Sequence, residues 1–410
     1  MSSKIKAAPF FGVEVNGKPL GYYASDLQII QETDKHTIAL LDVQYLGQGA
    51  SIRNTKATNR WTYIRENTPV RITYGMYPNY TTDFLGYVAS YKILKTTTDK
   101  LYSGMLNTRV QYTIVGSSLP MQSTVNKAWK NRSPSAIASA IAVKNGLRGI
   151  IHPYSSVYNY RLQNASDFQF LCDLAREIGY RFYVENTDLY FVDPTILMSQ
   201  NTLRNIPQFW ALNTPGIKDT LEEFKPSVGT TTAETLVAKR SVTGINPLTG
   251  RIVDANQQYA LYEAFTSIPK APILSKYERR YPVDSYAEAV QRLESSTQRN
   301  QYWTTATATV WGDSRVKPNS LVEFVGQGVP EDNAGLWLVK SATHKMYMPP
   351  KSGNVVSGKY HIEMKVLRNQ SYTINFSSPN ALSPSTQQVG AKLINGVWKS
   401  TNVGAQSNAV

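Results

Sequence analysis

The sequence predicts a mainly β protein with an α+β insertion: two small β-barrel domains with a helix–strand unit between them. Three observations predict it. The 410 residues include 26 tyrosines beside many Thr, Val and Ile, side chains that suit pleated, half-buried surfaces. Apolar and polar residues alternate with a period of two through the first 120 residues or so and again from Trp303 to Val366. Helical periodicity is confined to short segments between those regions. At roughly 100 to 200 residues per domain, a chain of this length divides into two to four.

Residues 1–120 read as an N-terminal β domain, a barrel or a sandwich. "VRITYG" sets Val70, Ile72 and Tyr74 on one face, "FLGYVASYKIL" follows a turn, and "RVQYTIVG" alternates Val110, Tyr112 and Ile114. Residues 121–195 change character to an α/β domain with two helices. The first is predicted in "SPSAIASAIAVKNGL", with Ser133 as N-cap, Pro134 at the first helical position, Ile137 and Ile141 one turn apart, and Gly146 as a stop.

The second helix lies in "SDFQFLCDLAREIGYRFYV". Ser166 is placed to cap it, Gln169 to reach back as in a capping box, and Asp167 to favour the N-terminal end of the helix dipole. Phe168, Leu171, Leu174, Ala175 and Ile178 share an apolar arc, whereas Gln169, Asp173, Arg176 and Glu177 fall outside it on an expected wet face. Gly179 stands where a left-handed C-cap is expected, and the aromatic strand "YRFYV" turns through "ENTD" into "LYFV".

Residues 196–260 are polar and turn-rich and read as a connector with irregular strands. Residues 261–370 hold the second barrel. A helix opens near Ser285 with Tyr286, Ala289, Val290 and Leu293 on one face, and four strands follow in "WTTATATVWG", "LVEFVG", "GLWLVKSATHKM" and "KYHIEMKVL". The last sets Tyr360, Ile362, Met364 and Val366 opposite His361, Glu363 and Lys365. Residues 371–410 form a Ser-, Asn- and Thr-rich tail expected to be extended, with apolar anchors in "AKLINGVWKS" for a partner.

Charge is concentrated at the front of the chain. Residues 1–150 carry 18 Lys and Arg against 8 Asp and Glu, within a net charge of +14 for the whole. Such a field suits nucleic acid, an anionic membrane or an acidic protein, although Lys92, Lys95, Lys100, Lys127 and Lys130 form no continuous run. No run reaches the roughly 18 apolar residues of a membrane span and "MSSKIKAAPFFGVEVNGK" lacks a signal-peptide core, so cytosolic synthesis and no stable membrane insertion are expected. The lone Cys172 excludes an internal disulfide framework.

Catalytic chemistry finds little support. Cys172 would need a nearby histidine and an oxyanion site, and its mid-helix place on the edge of the apolar arc reads as core packing. His36, His152, His344 and His361 lack metal-ligand spacing, with His361 expected to face outward and His344 to end a strand. Asp173 and Glu177 share a helix face as an ordinary solvated pair would. A distant glycosidase carboxylate pair leaves no sequence trace. "LGQGAS" lacks the third glycine of a phosphate loop and reads as a turn.

Together, "LQNASDFQFLCDLAREIGYRFYVENTDLYFVDP", "ATATVWGDSRVKPNSLVEFVG", "GLWLVKSATHKM" and "YHIEMKVLRN" resemble the phage late control protein D and baseplate hub family. Its relatives include the N-terminal part of type VI secretion spike proteins. The resemblance covers about residues 120–370 and rests on Asp167, Phe168, Phe170, Leu171, Gly179 and Tyr180, on the turn at Gly312 and Asp313, and on the strand from Trp337 to Val339. Pro318-Asn319 stands where the family often has Pro-Gly, and Asn tolerates the left-handed backbone that turn needs.

The resemblance implies a structural virion protein of the tail tip or baseplate, made late in the bacterial cytoplasm, with no enzymatic activity, cofactor or metal. It implies a homotrimer whose paired barrels make a pseudo-sixfold ring. That collar would join a distal tail protein or tail tube ring to a central fibre or spike, with a lumen for tape measure protein and then DNA during genome ejection. The competing readings are a tail-associated peptidoglycan hydrolase and a DNA-binding protein that uses the basic N-terminal third.

Overall fold

In the computed structural model the described residues are 8–47, 64–77, 80–99, 105–193, 206–212, 219–228, 237–246, 249–258, 274–279, 283, 285–299, 304–349, 358–368, 391–394 and 397–400. The N-terminal strands are β1 (Ala8–Val15), β2 (Lys18–Pro19), β3 (Tyr23–Glu32), β4 (Ile38–Gly47), β5 (Pro69–Tyr77), β6 (Tyr80–Asp99) and β7 (Met105–Gly116). They lie in the order β3-β4-β7-β6-β5-β1-β2, antiparallel throughout. The period-two pattern decides which face is core: Val70, Ile72 and Tyr74, and likewise Val110, Tyr112 and Ile114, are all buried. Asn16 and Gly17 both have positive φ, which permits the tight turn from β1 to β2.

The insertion comprises β8 (Lys127–Arg132), α1 (Pro134–Lys144), β9 (Arg148–Ile151), β10 (Tyr158–Gln163), α2 (Asp167–Ile178), β11 (Arg181–Glu185) and β12 (Asp188–Val192). β8 and β10 make a two-stranded ribbon, and β9 runs parallel to β12 of the β11–β12 hairpin. Both helices start as their sequences predict. Ser133 Oγ accepts the Ala136 amide and Ser166 Oγ the Gln169 amide, each at 3.2 Å. The capping box at α2 is only half made, because the Gln169 amide group turns to Asp173 at 3.1 Å. Gly179, at φ 79°, ends α2 with the expected left-handed cap.

Next come β13 (Gln208–Trp210), β14 (Leu221–Val228), β15 (Val237–Ile245), β16 (Ile252–Gln258), β17 (Leu274–Arg279), α3 (Tyr286–Arg299), β18 (Thr304–Trp311), β19 (Leu321–Val325), β20 (Gly335–Tyr347) and β21 (Lys359–Arg368). A short hairpin, β22 (Ala391–Ile394) with β23 (Val397–Ser400), lies in the tail, most of which falls outside the described residues, as does most of "LGQGAS". β14-β18-β21-β20 continue through β19 to β13. The curl nearly closes where the Thr220 amide donates to Trp210 O at 3.0 Å. Phe209, Phe224, Phe324 and Trp337 fill its interior with tilted and edge-on ring contacts.

β15, β16 and β17 form a separate sheet against α3, where Ala289 and Leu293 are buried. Tyr286 does not join them as expected: it occupies the first position of the helix and is exposed. Arg292 is buried there instead, because carboxylates of α2 and α3 receive its guanidinium.

The fold is thus mainly β with an α+β insertion, as predicted. The two sets of strands are also one sheet. β20 pairs antiparallel with β3, Ile29 opposite His344, so thirteen strands are continuous and one apolar cluster runs from Val13 to Val366.

Candidate functional site

The seam between the strand sets is built around His344. Far from ending a strand, this residue lies within β20 and is fully buried, because its place on the period-two pattern faces inward. Nε2 lies 3.0 Å from Val316 O, a carbonyl that can only accept, so Nε2 carries the proton and Nδ1 accepts from the Tyr360 hydroxyl at 2.8 Å. Burial pushes the His344 pKa down to about 4, and burial likewise raises the Tyr360 phenol well above its ordinary value. His344 also meets Tyr74 of β5 edge-on at 5.4 Å, so its ring touches side chains of both strand sets.

The two turn residues of the sequence motif support this point. A Cβ on Gly312 would stand 1.9 Å from the Tyr360 ring, which explains the glycine. Asp313 accepts from the Arg315 amide at 3.0 Å and from its guanidinium at 2.6 Å, fixing the turn that carries Val316. Asn319 has φ 66°, the left-handed backbone expected after Pro318. Trp337 is buried, with its indole N–H donating to Asn333 O at 2.9 Å.

On the opposite face of the seam, Asp26 of β3 and Asp42 of β4 stand directly across from each other. Like charges so placed repel. Arg109 of β7 bridges them, 2.9 Å from Asp26 and 2.5 Å from Asp42, and Gln111 donates to Asp42 at 2.9 Å. Asp26, Asp42 and Gln111 line a shallow groove of about 320 Å³ that continues to Lys345 and His361. His361 is partly exposed, 3.1 Å from Glu222.

The remaining motif residues build the insertion and its joint to the barrels. Asp167 is buried and accepts from Lys144 at 2.8 Å, Asn145 at 3.0 Å and Gln163 at 2.8 Å, joining the end of α1, the ribbon and the start of α2. Burial works to raise its carboxyl, but these donors outweigh it and hold the pKa below the usual carboxylate value. Phe168 packs edge-on against Phe182 and stacks on His36 of the N-terminal strand set at 3.7 Å. Phe170 and Leu171 are core, and the Tyr180 hydroxyl donates to Pro153 O at 2.8 Å. Asn186, at φ 51° in the β11–β12 turn, accepts the Leu85 amide of β6 at 3.2 Å and the Ser117 hydroxyl. Lys317 pairs with Glu185 across the same joint.

Two groups of a kind used in catalysis act in packing. Cys172 is 2% exposed and directs its thiol to Asp34 O at 3.6 Å. His36 Nδ1 lies 2.7 Å from Ser118 Oγ, but Ser118 is 3% exposed and burial pushes His36 down to about 4. Glu177 is not on the wet face. Arg161 of β10 reaches it across α2, and with Glu288 and Arg292 of α3 it makes a largely buried ring of alternating charge, Arg292 lying 2.7 Å from Glu288. Among the described residues, no three or more His, Cys, Asp or Glu are placed to hold a metal ion, and no helix is long and apolar enough to cross a membrane.

Neither a family model nor a curated protein sequence matches the chain. Solved structures do. The 43 kDa tail protein of prophage MuSo2 from Shewanella oneidensis is 12% identical over 88% of this chain and 99% of its own, with a TM-score of 0.60. A tail protein from Neisseria meningitidis MC58 is 10% identical over 89% and 98%, at 0.59. A chain of the Francisella PdpA–VgrG complex, half-lidded, is 10% identical over 89% of this chain and 58% of its own, at 0.50. The chain has the fold of these phage tail and VgrG-complex proteins, in keeping with its resemblance to the baseplate hub family.

Proposed function

We propose that this protein is a non-enzymatic structural hub of a bacteriophage tail tip or baseplate. It acts as a homotrimer whose paired barrels form a pseudo-sixfold collar between the distal tail protein or tail tube ring and the central fibre or spike. The lumen passes tape measure protein and then DNA. The observation that carries this reading is the seam: β20 on β3 fuses two barrel-like strand sets into one thirteen-stranded sheet, so each copy brings two similar units to a ring in fixed register.

In this reading the chain divides into barrels at 1–120 and 261–370, the α/β domain at 121–195, the connector at 196–260 and a tail at 371–410 that clamps the fibre or spike. Asp167, Phe168, Phe170, Leu171, Gly179 and Tyr180 brace the α/β domain, and Gly312, Asp313 and Trp337 brace the second barrel.

Light scattering of the purified chain across concentrations, alone and with its neighbouring tail proteins, tests the proposal. The expected species has three times the 45.8 kDa chain mass. A monomer under every condition overturns it and turns attention to cell-wall hydrolysis or DNA binding.

A further inference from the structure

Among the described residues, the β8–β10 ribbon has one face and two strand edges that no other element covers. Its inner face is anchored: Trp129 donates to Gln163 at 3.0 Å, and Gln163 donates in turn to Asp167. Its outer face sets Leu162 opposite Ala128 and Tyr160 opposite Lys130. Leu162 is 55% exposed, Tyr160 45% and nearby Val157 57%. The sheet has only two strands, so among the described residues each keeps one long edge of backbone groups unpaired.

The charge here is one-sided. No Asp or Glu occurs between Asp99 and Asp167, a stretch that holds eight Lys and Arg. Acids from elsewhere pair with four of them, Arg109 with Asp26 and Asp42, Lys144 with Asp167, Arg148 with Asp188 and Arg161 with Glu177. Lys130 and Arg132, both exposed on β8, have no ion pair among the described residues, and the Lys127 ammonium lies over the Trp129 ring at 3.8 Å.

We propose that the free edge of β8 receives an extended, acidic segment of a neighbouring tail protein as a third strand. An added strand places alternate residues beside Ala128 and Lys130, and Arg132 follows past Asn131, whose φ of 50° departs from extended backbone, so the fitting segment carries one apolar and then two acidic side chains. A second copy of this chain fits poorly, since its net charge of +14 repels the same cations. Nucleic acid fits less well than a strand, because the two cations share their face with the exposed apolar Tyr160 and Leu162 of β10. The inference rests on the assembly reading, but its test does not depend on the trimer: a monomeric chain would remove the collar and leave this binding intact.

The probe is a fluorescent ten-residue peptide alternating Thr with Val, Glu and Glu, titrated into the full chain by anisotropy. Binding is expected, with slowed hydrogen exchange at the amides of β8 and affinity at least about tenfold weaker in the K130E/R132E double variant. The same peptide N-methylated at successive amides, so that both of its edges lose their donors, cannot pair as a strand and is expected not to bind, a readout that needs no variant. No binding of the plain peptide, equal binding of the N-methylated one, or no exchange protection at β8 overturns the proposal. Tighter binding of duplex DNA than of peptide, lost in K130E/R132E, reassigns the face to nucleic acid, and self-association lost in that variant reassigns it to a second copy.

Discussion

Gly312→Ala is the sharpest test of the seam. The new Cβ would lie 1.9, 2.0 and 2.4 Å from three atoms of the Tyr360 ring, against an ordinary contact of 3.4 Å or more. The ring must therefore retreat by about 1.5 Å, in an interior packed too densely to absorb such a shift freely. Tyr360 is 3% exposed and its hydroxyl is committed to His344 at 2.8 Å, so retreat strains or breaks a buried hydrogen bond as well. Overpacking costs about 1–3 kcal/mol and an unsatisfied buried partner a similar amount, giving a loss of roughly 3 kcal/mol. Urea unfolding at fixed protein concentration measures it. In a Tyr360→Ala background the same Gly312→Ala change is expected to cost under about 1 kcal/mol, because the ring it strikes is gone. An unchanged midpoint for Gly312→Ala alone would refute the packing described for this turn.

Two further outcomes follow from the same region. His344 has its folded pKa lowered from 6.5 to about 4, so the unfolded chain takes up the proton first as pH falls. Its contribution is whole above pH 6.5 and is lost progressively down to about pH 4, a total near 3 kcal/mol. Urea midpoints at pH 7 and 4.5 should therefore differ more for the wild type than for His344→Gln, and equal differences would contradict a neutral buried ring. Arg109→Met leaves Asp26 and Asp42 facing each other with Asp42 buried, and is expected to lower stability by about 2 kcal/mol in urea titrations, partly restored by adding Asp26→Asn.

Local features of the sequence were readable because their causes are local. Ser133, Ser166 and Gly179 act within a few residues of themselves, and the alternation in β5, β18 and β21 needs only two faces of one strand. Asn319 took the left-handed backbone that turn chemistry demanded. Readings failed where the deciding partner was remote. Glu177 looks like a wet-face residue until Arg161 and Arg292 arrive from two other elements, and Tyr286 shares a helical face on paper but lies at the helix start and is exposed. His344 reads as the end of a strand in its own segment, yet the strand continues past it to Tyr347. Arg109 is a lone charge in an alternating strand, with no local mark of the two carboxylates it joins. Nothing in either strand announces that β3 pairs with β20.

That pairing has a consequence for how the chain is made. Thr33 and Lys340, hydrogen-bonded in the finished sheet, are 307 residues apart in sequence. At ~5–20 residues per second, the ribosome releases β3 roughly 15 to 60 s before its partner exists. Through that interval the front of each nascent chain exposes a bare strand edge, while the insertion, which has an apolar cluster of its own, can already condense. Many copies made together on adjacent ribosomes would meet edge to edge. The long wait is thus a window for chaperone binding, and the last quarter of the protein is what ends it.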